Sequence, residues 1–376
     1  VLVAFGTRPE AIKLAPVIHQ LRRSPLVDAK VAVTGQHREL LDQVLQFFGI
    51  EPDYRLQVMR PNQDLIGLTA RILDGLNPIL DRQKPDIVLT QGDTATCFAA
   101  SLAAFYTRIP VAHVEAGLRT HNLASPFPEE GMRQMVSRLA TLHFAPTVRN
   151  SEALRREGIA PERICVTGNT VIDAVLWARR KLRNLRACPL TPSLDAALAE
   201  RLLAAHRIVL VTSHRRENFG EGVKAVCESI GELADRHEDV TFTFPVHPNP
   251  NVARPVEAIL GRRSNVLLLP ALDYPSFVYL MDRSYFIVTD SGGVQEEAPS
   301  LGKPVLVTRT VTERQEAVAS GHVRLVGTDR HTIISEAERL LTSSQAYARM
   351  AGGVNPYGDG RSSARIVSEL EQFGSN

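Results

Sequence analysis

The sequence predicts two α/β domains, each a doubly wound parallel sheet, on three observations. Short β-branched runs alternate with helical patterns along the whole chain, as βαβ units require. Six such runs fall in each half, enough for two sheets of the nucleotide-binding kind. The chain also has 376 residues, too many for one ordinary core.

In order, the first-half strands read VLVAF, KVAVTG, DIVLTQGD, VAHVEAG, LHFAP at 142–146 and ICVTG, each followed by a helical pattern. Those of the second half read IVLVTSH, VTFTFPVH, VLLLPAL, FIVTDSG, KPVLVTR and VRLVGTD. Between them, residues 183–202 carry Pro and Ser clusters and no strand, so the boundary falls near 168–185. We divide the chain into 1–168 and 169–357. A glycine-rich break, NPYGDG, then precedes a last amphipathic helix within 358–376.

Composition narrows the function. With 44% apolar residues, 22% charged residues and a net charge of +2, the chain reads as globular, without the basic excess of a nucleic-acid binder. Cys97, Cys165, Cys188 and Cys227 are far apart and form no C-x-x-C pair, which predicts core thiols in a reducing compartment rather than disulfides or zinc ligands. No metal or redox cofactor is expected, since no ligand-spaced cluster is present. No window approaches the roughly 18 apolar residues of a membrane span. VLVAF at Val1 lacks the basic lead of a signal peptide, so a cytoplasmic protein is expected.

Ligands of open α/β sheets bind beyond the carboxyl ends of the strands, and there this sequence is unusually polar. GTRPEAIK follows the first strand. Gly6 permits a tight turn, Pro9 suits a helix start, and Arg8 with Lys13 would surround exposed amides with positive charge. A capped helix with surface cations explains that motif equally well. TDSGGVQEE is the stronger anion site: Ser291, Gly292 and Gly293 offer a hydroxyl and bare amides at a helix start, where phosphate can approach. Glu297, about one turn on, would accept from the hydroxyls of a ribose, although Glu296 and Glu297 also suit the helix dipole. Neither G-x-G-x-x-G nor a P-loop is present, which removes the main support for NAD or ATP.

Three acids stand apart in the first half, Asp93 in GDT and Glu115 in HVEAG at strand ends and Glu129 in PFPEE close behind. Buried acids are costly unless paired or catalytic, and Arg119 or Arg133 would be the partner for Glu115. Three in one region favour catalysis. His113 and His143 lie in apolar strands and read as hydrogen-bonded core residues. His214 in SHRREN and His247 in PVHPNP follow strands, and His214 would meet a phosphate oxygen.

Together GTRPEAIK, GQHRELLDQVL, QGDTAT, HVEAGLRT, SPFPEE, VTGNTVIDA, HRREN, PVHPNP, DSGGVQEEAPSLGKPVL and NPYGDG closely resemble the bacterial non-hydrolysing UDP-N-acetylglucosamine 2-epimerases over nearly the whole chain. The resemblance implies the type-B glycosyltransferase fold, two Rossmann-like domains facing a cleft, with the C-terminal helix returning to the first. It implies interconversion of UDP-GlcNAc and UDP-ManNAc by elimination and re-addition of UDP, in a homodimer that supplies ManNAc for surface polysaccharide. Asp93, Glu115, Glu129 and His214 match its catalytic residues. Arg8, Ser291, Gly292, Gly293 and Glu297 match its nucleotide-holding positions, and Phe277 lies where uracil packs. Gln36, Arg60, Arg215 and His247 fall where a second, activating UDP-GlcNAc binds. Met132 and Gln315 depart from the family's usual Asn and Pro. A glycosyltransferase of the same fold, a hydrolysing epimerase and a non-catalytic nucleotide-sugar sensor are the rival readings.

Overall fold

The computed structural model describes residues 1–35, 38–60, 64–184, 190 and 194–375. The chain forms two compact units, Val1–Ala174 with Tyr357–Asn376, and Val175–Pro356. Each is built on one wholly parallel sheet.

In the first unit the strands are β1 (Leu2–Phe5), β2 (Lys30–Val33), β3 (Tyr54–Arg55), β4 (Val88–Gln91), β5 (Val111–Val114), β6 (Leu142–Ala145) and β7 (Ile164–Val166), in the order β3-β2-β1-β4-β5-β6-β7. All six expected strands are present. The seventh, β3, is two residues at the sheet edge, too short to leave a periodic signal. β1, β4 and β5 are buried along their whole length, which is why they read as continuous apolar runs rather than alternating ones. Helices cover them: Ile72, Leu76 and Leu80 of Leu65–Gln83 share a core with Ala99, Ala100 and Ala104 of Ala95–Tyr106. Small alanines let that second helix lie close to its neighbour.

The second unit carries β8 (Arg207–Thr212), β9 (Val240–Pro245), β10 (Val266–Leu269), β11 (Phe286–Thr289), β12 (Val305–Val307) and β13 (Val323–Leu325), in the order β10-β9-β8-β11-β12-β13. Val226, Ile230 and Leu233 of the helix Glu221–Arg236 and Val252, Val256 and Leu260 of Pro250–Leu260 pack over Phe242 and Phe244. In both sheets the order reverses beside the first strand, between β1 and β4 and between β8 and β11. Those two switch points are where doubly wound sheets bind ligands.

The last helix, Ser362–Ser375, packs in the first unit against the helix Arg8–Leu21. Buried Asp173 holds its start, accepting from the Ser362 amide at 3.1 Å, the Ser363 amide at 2.9 Å and the Ser363 hydroxyl at 2.5 Å. Among the described residues no helix is long and apolar enough to cross a membrane.

Candidate active site

The first unit gathers carboxylates at its switch point. Register pairs Gln91 with Val114, so the chain emerging from β4 runs beside the chain emerging from β5. Glu115 stands there with φ +66°, a left-handed conformation that costs a non-glycine residue about 1–2 kcal/mol. Its carboxylate receives Lys13 Nζ at 2.5 and 2.7 Å, Asn169 Nδ2 at 3.1 Å and a close Gln91 Nε2. Two residues on, Gly117 has φ +89°, and a Cβ there would sit 2.2 Å from the Asn150 carbonyl oxygen, so only glycine fits the turn that carries Glu115.

Asp93 follows β4 and meets Arg133 Nε at 2.7 Å. Burial raises its carboxyl above the usual range, Arg133 opposes that, and neighbouring Glu115 adds to the rise. Glu129 opens the helix Glu129–Leu139, and its buried Oε2 has no hydrogen-bond partner among the described residues. Adjacent Glu130 is saturated instead, taking the Thr120 amide at 3.0 Å, the His121 amide at 3.2 Å, Gln134 Nε2 at 3.0 Å and Arg133 Nη1 at 3.1 Å. The neighbouring acids therefore differ: Glu130 ties down a loop while Glu129 keeps an oxygen uncommitted.

The second unit gathers cations and amides. The helix Gly292–Ser300 follows β11, and its N-cap Ser291 makes no capping hydrogen bond through its side chain. Two guanidinium groups flank the turn: a Cβ on Gly292 would meet Arg314 Cζ at 3.0 Å and Arg215 Nη2 at 3.4 Å. Glu296 (2.9 Å) and Glu313 (2.6 Å) hold Arg314 in place. Glu297 is buried, with Tyr274 Oη 3.5 Å away, and its Oε2 lies 3.5 Å from where a Gly293 Cβ would stand. Phe277 is half-buried on the helix Tyr274–Arg283. At the end of β8, His214 Nδ1 faces Asp290 Oδ1 at 2.9 Å, and the His247 ring lies 6.3 Å from the His214 ring. Asp290 is fully buried. Burial alone would raise its carboxyl, but the His214 ring and the His214 and Arg215 amides bring it down to about 2.

Two sequence expectations need correction. The amides of GTRPEAIK are not exposed: Gly6 N (3.0 Å) and Thr7 N (2.8 Å) both donate to Glu10, which completes a capping box with Thr7. Lys13 accordingly belongs with Glu115 and not around bare amides; Arg8 is the first residue of that helix. Neither arginine proposed for Glu115 pairs with it, since Arg119 binds Glu157 at 2.6 Å and Arg133 binds Asp93. Of the activator positions, Arg215 flanks Gly292, His247 neighbours His214, Arg60 is exposed, and Gln36 lies outside the described residues. Met132 is buried and Gln315 begins a short helix. Cys97, Cys165 and Cys227 are free thiols, and Cys188 lies outside the described residues. Asp290, Arg314, Gln91 and Asn169 went unassigned by sequence reasoning. Register offered a signal for the first, because pairing Thr212 with Thr289 sets SHRREN beside DSGG.

Comparison with known proteins identifies the family. The profile of the family described as UDP-N-acetylglucosamine 2-epimerase matches residues 19–371. A UDP-N-acetylglucosamine 2-epimerase of Salmonella typhimurium is 54% identical over 376 residues, covering 99% of this chain and 98% of that protein. One from Escherichia coli K12 is 52% identical, covering 99% and 98%. The Neisseria meningitidis UDP-GlcNAc 2-epimerase, solved bound to UDP-GlcNAc, is 48% identical with a TM-score of 0.86 and 99% of each chain covered. That of Methanocaldococcus jannaschii, in complex with UDP-GlcNAc and UDP, is 31% identical with a TM-score of 0.78 and the same coverage. The two parallel-sheet α/β units are thus of the type-B glycosyltransferase class, and the chain belongs to the UDP-N-acetylglucosamine 2-epimerase family of enzymes.

Proposed function

We propose that the chain interconverts UDP-GlcNAc and UDP-ManNAc by elimination and re-addition of UDP, without net hydrolysis. The observation that carries the reading is the contrast between the two switch points, one lined by carboxylates and the other by an uncapped helix start, two guanidiniums and a histidine. The C2 hydrogen is not adjacent to a carbonyl, so a base needs C1 to become electron-poor first. As the C1–O bond breaks, its electron pair leaves with UDP. Oxocarbenium character at C1 acidifies the C2–H bond, whose electrons form the C1=C2 double bond of 2-acetamidoglucal while a carboxylate takes the proton. Protonation of C2 from the opposite face and return of UDP to C1 complete the epimerisation.

Each step finds its residues. Ser291, Gly292, Gly293, Arg8 and His214 take the leaving diphosphate, a stabilisation in which one donor is worth about 10²–10³ in rate. Glu297 accepts from the ribose and Phe277 packs the uracil. Glu115 and Glu129 handle the C2 proton on its two faces, each worth about 10²–10⁴, with Asp93 sharing or orienting that role. A second UDP-GlcNAc at Gln36, Arg60, Arg215 and His247 activates the enzyme. The same reading extends to a cytoplasmic homodimer that supplies ManNAc for surface polysaccharide.

Solvent isotope tests the mechanism. In D₂O, without added NAD or metal, UDP-GlcNAc should give UDP-ManNAc deuterated at C2, with both epimers labelled on long incubation and traces of UDP and 2-acetamidoglucal. UDP-ManNAc with its original C2 hydrogen fully retained would overturn it. Free ManNAc with stoichiometric UDP would instead mark a hydrolysing enzyme, and no C2 exchange at all a transferase or sensor.

A further inference from the structure

The two oxygens of Asp290 do different work. Oδ2 takes the Ser213 hydroxyl at 3.0 Å, the His214 amide at 2.9 Å, the Arg215 amide at 3.0 Å and Asn218 Nδ2 at 3.2 Å. That set anchors the loop after β8 to the end of β11. Oδ1 faces the His214 ring, with Nδ1 at 2.9 Å, and otherwise lies only 3.2 Å from the same residue's amide. A loop anchor needs Oδ2 alone. The contact at Oδ1 orients a ring whose side chain is 40% exposed while Asp290 has no exposure at all.

We propose that Asp290 is a positioning residue acting through His214: it accepts Nδ1–H, fixes the ring, and so leaves Nε2 as the nitrogen offered to a diphosphate oxygen. The inference rests on the role given to His214 above. Nδ1–H bonded to a buried carboxylate sets both the tautomer and the direction of the imidazole, and when the ring is charged it donates Nε2–H to the departing UDP while Asp290 balances the charge. In serine hydrolases a buried carboxylate likewise orients the histidine through Nδ1–H and stabilises the imidazolium that forms.

A double-mutant cycle tests it. Asp290→Asn can keep an oxygen toward the loop amides while presenting an NH₂ to Nδ1, which removes the charge that balances the imidazolium and leaves a neutral ring whose Nε2–H is a weaker, uncharged donor to the diphosphate. Asp290→Asn should lower kcat by about 10-fold or more, with KM for UDP-GlcNAc within about threefold. His214→Asn should also be strongly impaired, and adding Asp290→Asn to it should cost less than about threefold more, because the residue through which Asp290 acts is already gone. Losses that multiply in the double mutant, with His214→Asn itself impaired, would overturn the positioning role alone. Full activity of His214→Asn would sink the function assigned to His214 and this inference with it. If Asp290→Asn fails to fold, ¹⁵N-histidine NMR of the unaltered enzyme decides instead. His214 Nδ1 should carry its proton across the active pH range, and a bare Nδ1 overturns the proposal.

Discussion

Glu115 occupies a left-handed backbone position, receives a lysine 102 residues away in sequence, and sits on a turn that only glycine at 117 allows. Strain of this kind persists only where the surroundings impose it, and it concentrates at sites of chemistry. Glu129 shows the complementary feature, a buried oxygen without a partner among the described residues. Glu115→Gln and Glu129→Gln should each cut kcat by at least about 10²-fold while UDP affinity changes only a few-fold, because the residues assigned to UDP belong mainly to the other unit. Isothermal titration beside steady-state kinetics checks this, and near wild-type rates in both variants would refute the assignment. Glu297→Ala should behave inversely. A ribose contact is made equally in ground and transition states, so KM should rise more than kcat falls. A large fall in kcat alone would contradict the ribose role.

At the scale of elements, the decisive difference lies between the two helix starts that the sequence offered as anion sites. The helix Arg8–Leu21 is closed by its own capping box, whereas Gly292–Ser300 has no side-chain cap and faces two guanidiniums. An anion-binding helix must leave its amides unclaimed by its own side chains. The turn at Gly117 makes a second point. Gly117→Ala combines a positive φ with a backbone clash that no side-chain movement relieves, and it should destabilise the first unit by about 2–3 kcal/mol or more. A urea unfolding midpoint unchanged from wild type would disprove the strain.

At the scale of the whole molecule, stability should fall with acid well before the carboxylates titrate. Burial holds the His113 imidazole down to about 3, so it is neutral in the folded chain where an unfolded chain would protonate it below about pH 6.5, and burial lowers His143 in the same direction. The unfolded state then binds more protons, and stability is full above about 6.5 and declines from there toward about 3. The slope for His113 alone is about 1.4 kcal/mol per pH unit. Asp290, held at about 2, adds a further loss between its ordinary value of 3.8 and about 2. Urea midpoints measured from pH 7.5 to 5 should decrease steadily, and a flat profile would contradict the buried neutral His113. The clasp at Asp173 closes the first unit on the chain's last helix. Asp173→Ala strands two amides and should cost about 1–3 kcal/mol, with hydrogen exchange accelerated first in residues 362–375.

The sequence by itself determined the fold class, twelve of the thirteen strands among the described residues and the loops that carry polar chemistry, because alternating βαβ patterning is a local signal and strand ends can be read one segment at a time. The family was equally legible from motifs in order along nearly the whole chain. Pairing was not legible. Lys13 with Glu115, Arg133 with Asp93, and Asp290 with His214 join residues 102, 40 and 76 positions apart, and nothing local to any of them announces its partner. The same holds for the closed cap at Glu10, whose carboxylate also takes the Thr94 hydroxyl 84 residues on. Only the folded sheets, by setting β4 beside β5 and β8 beside β11 in fixed register, decided which charges meet, because the electrostatics of a buried carboxylate depend on groups brought within a few ångströms and not on its neighbours in sequence.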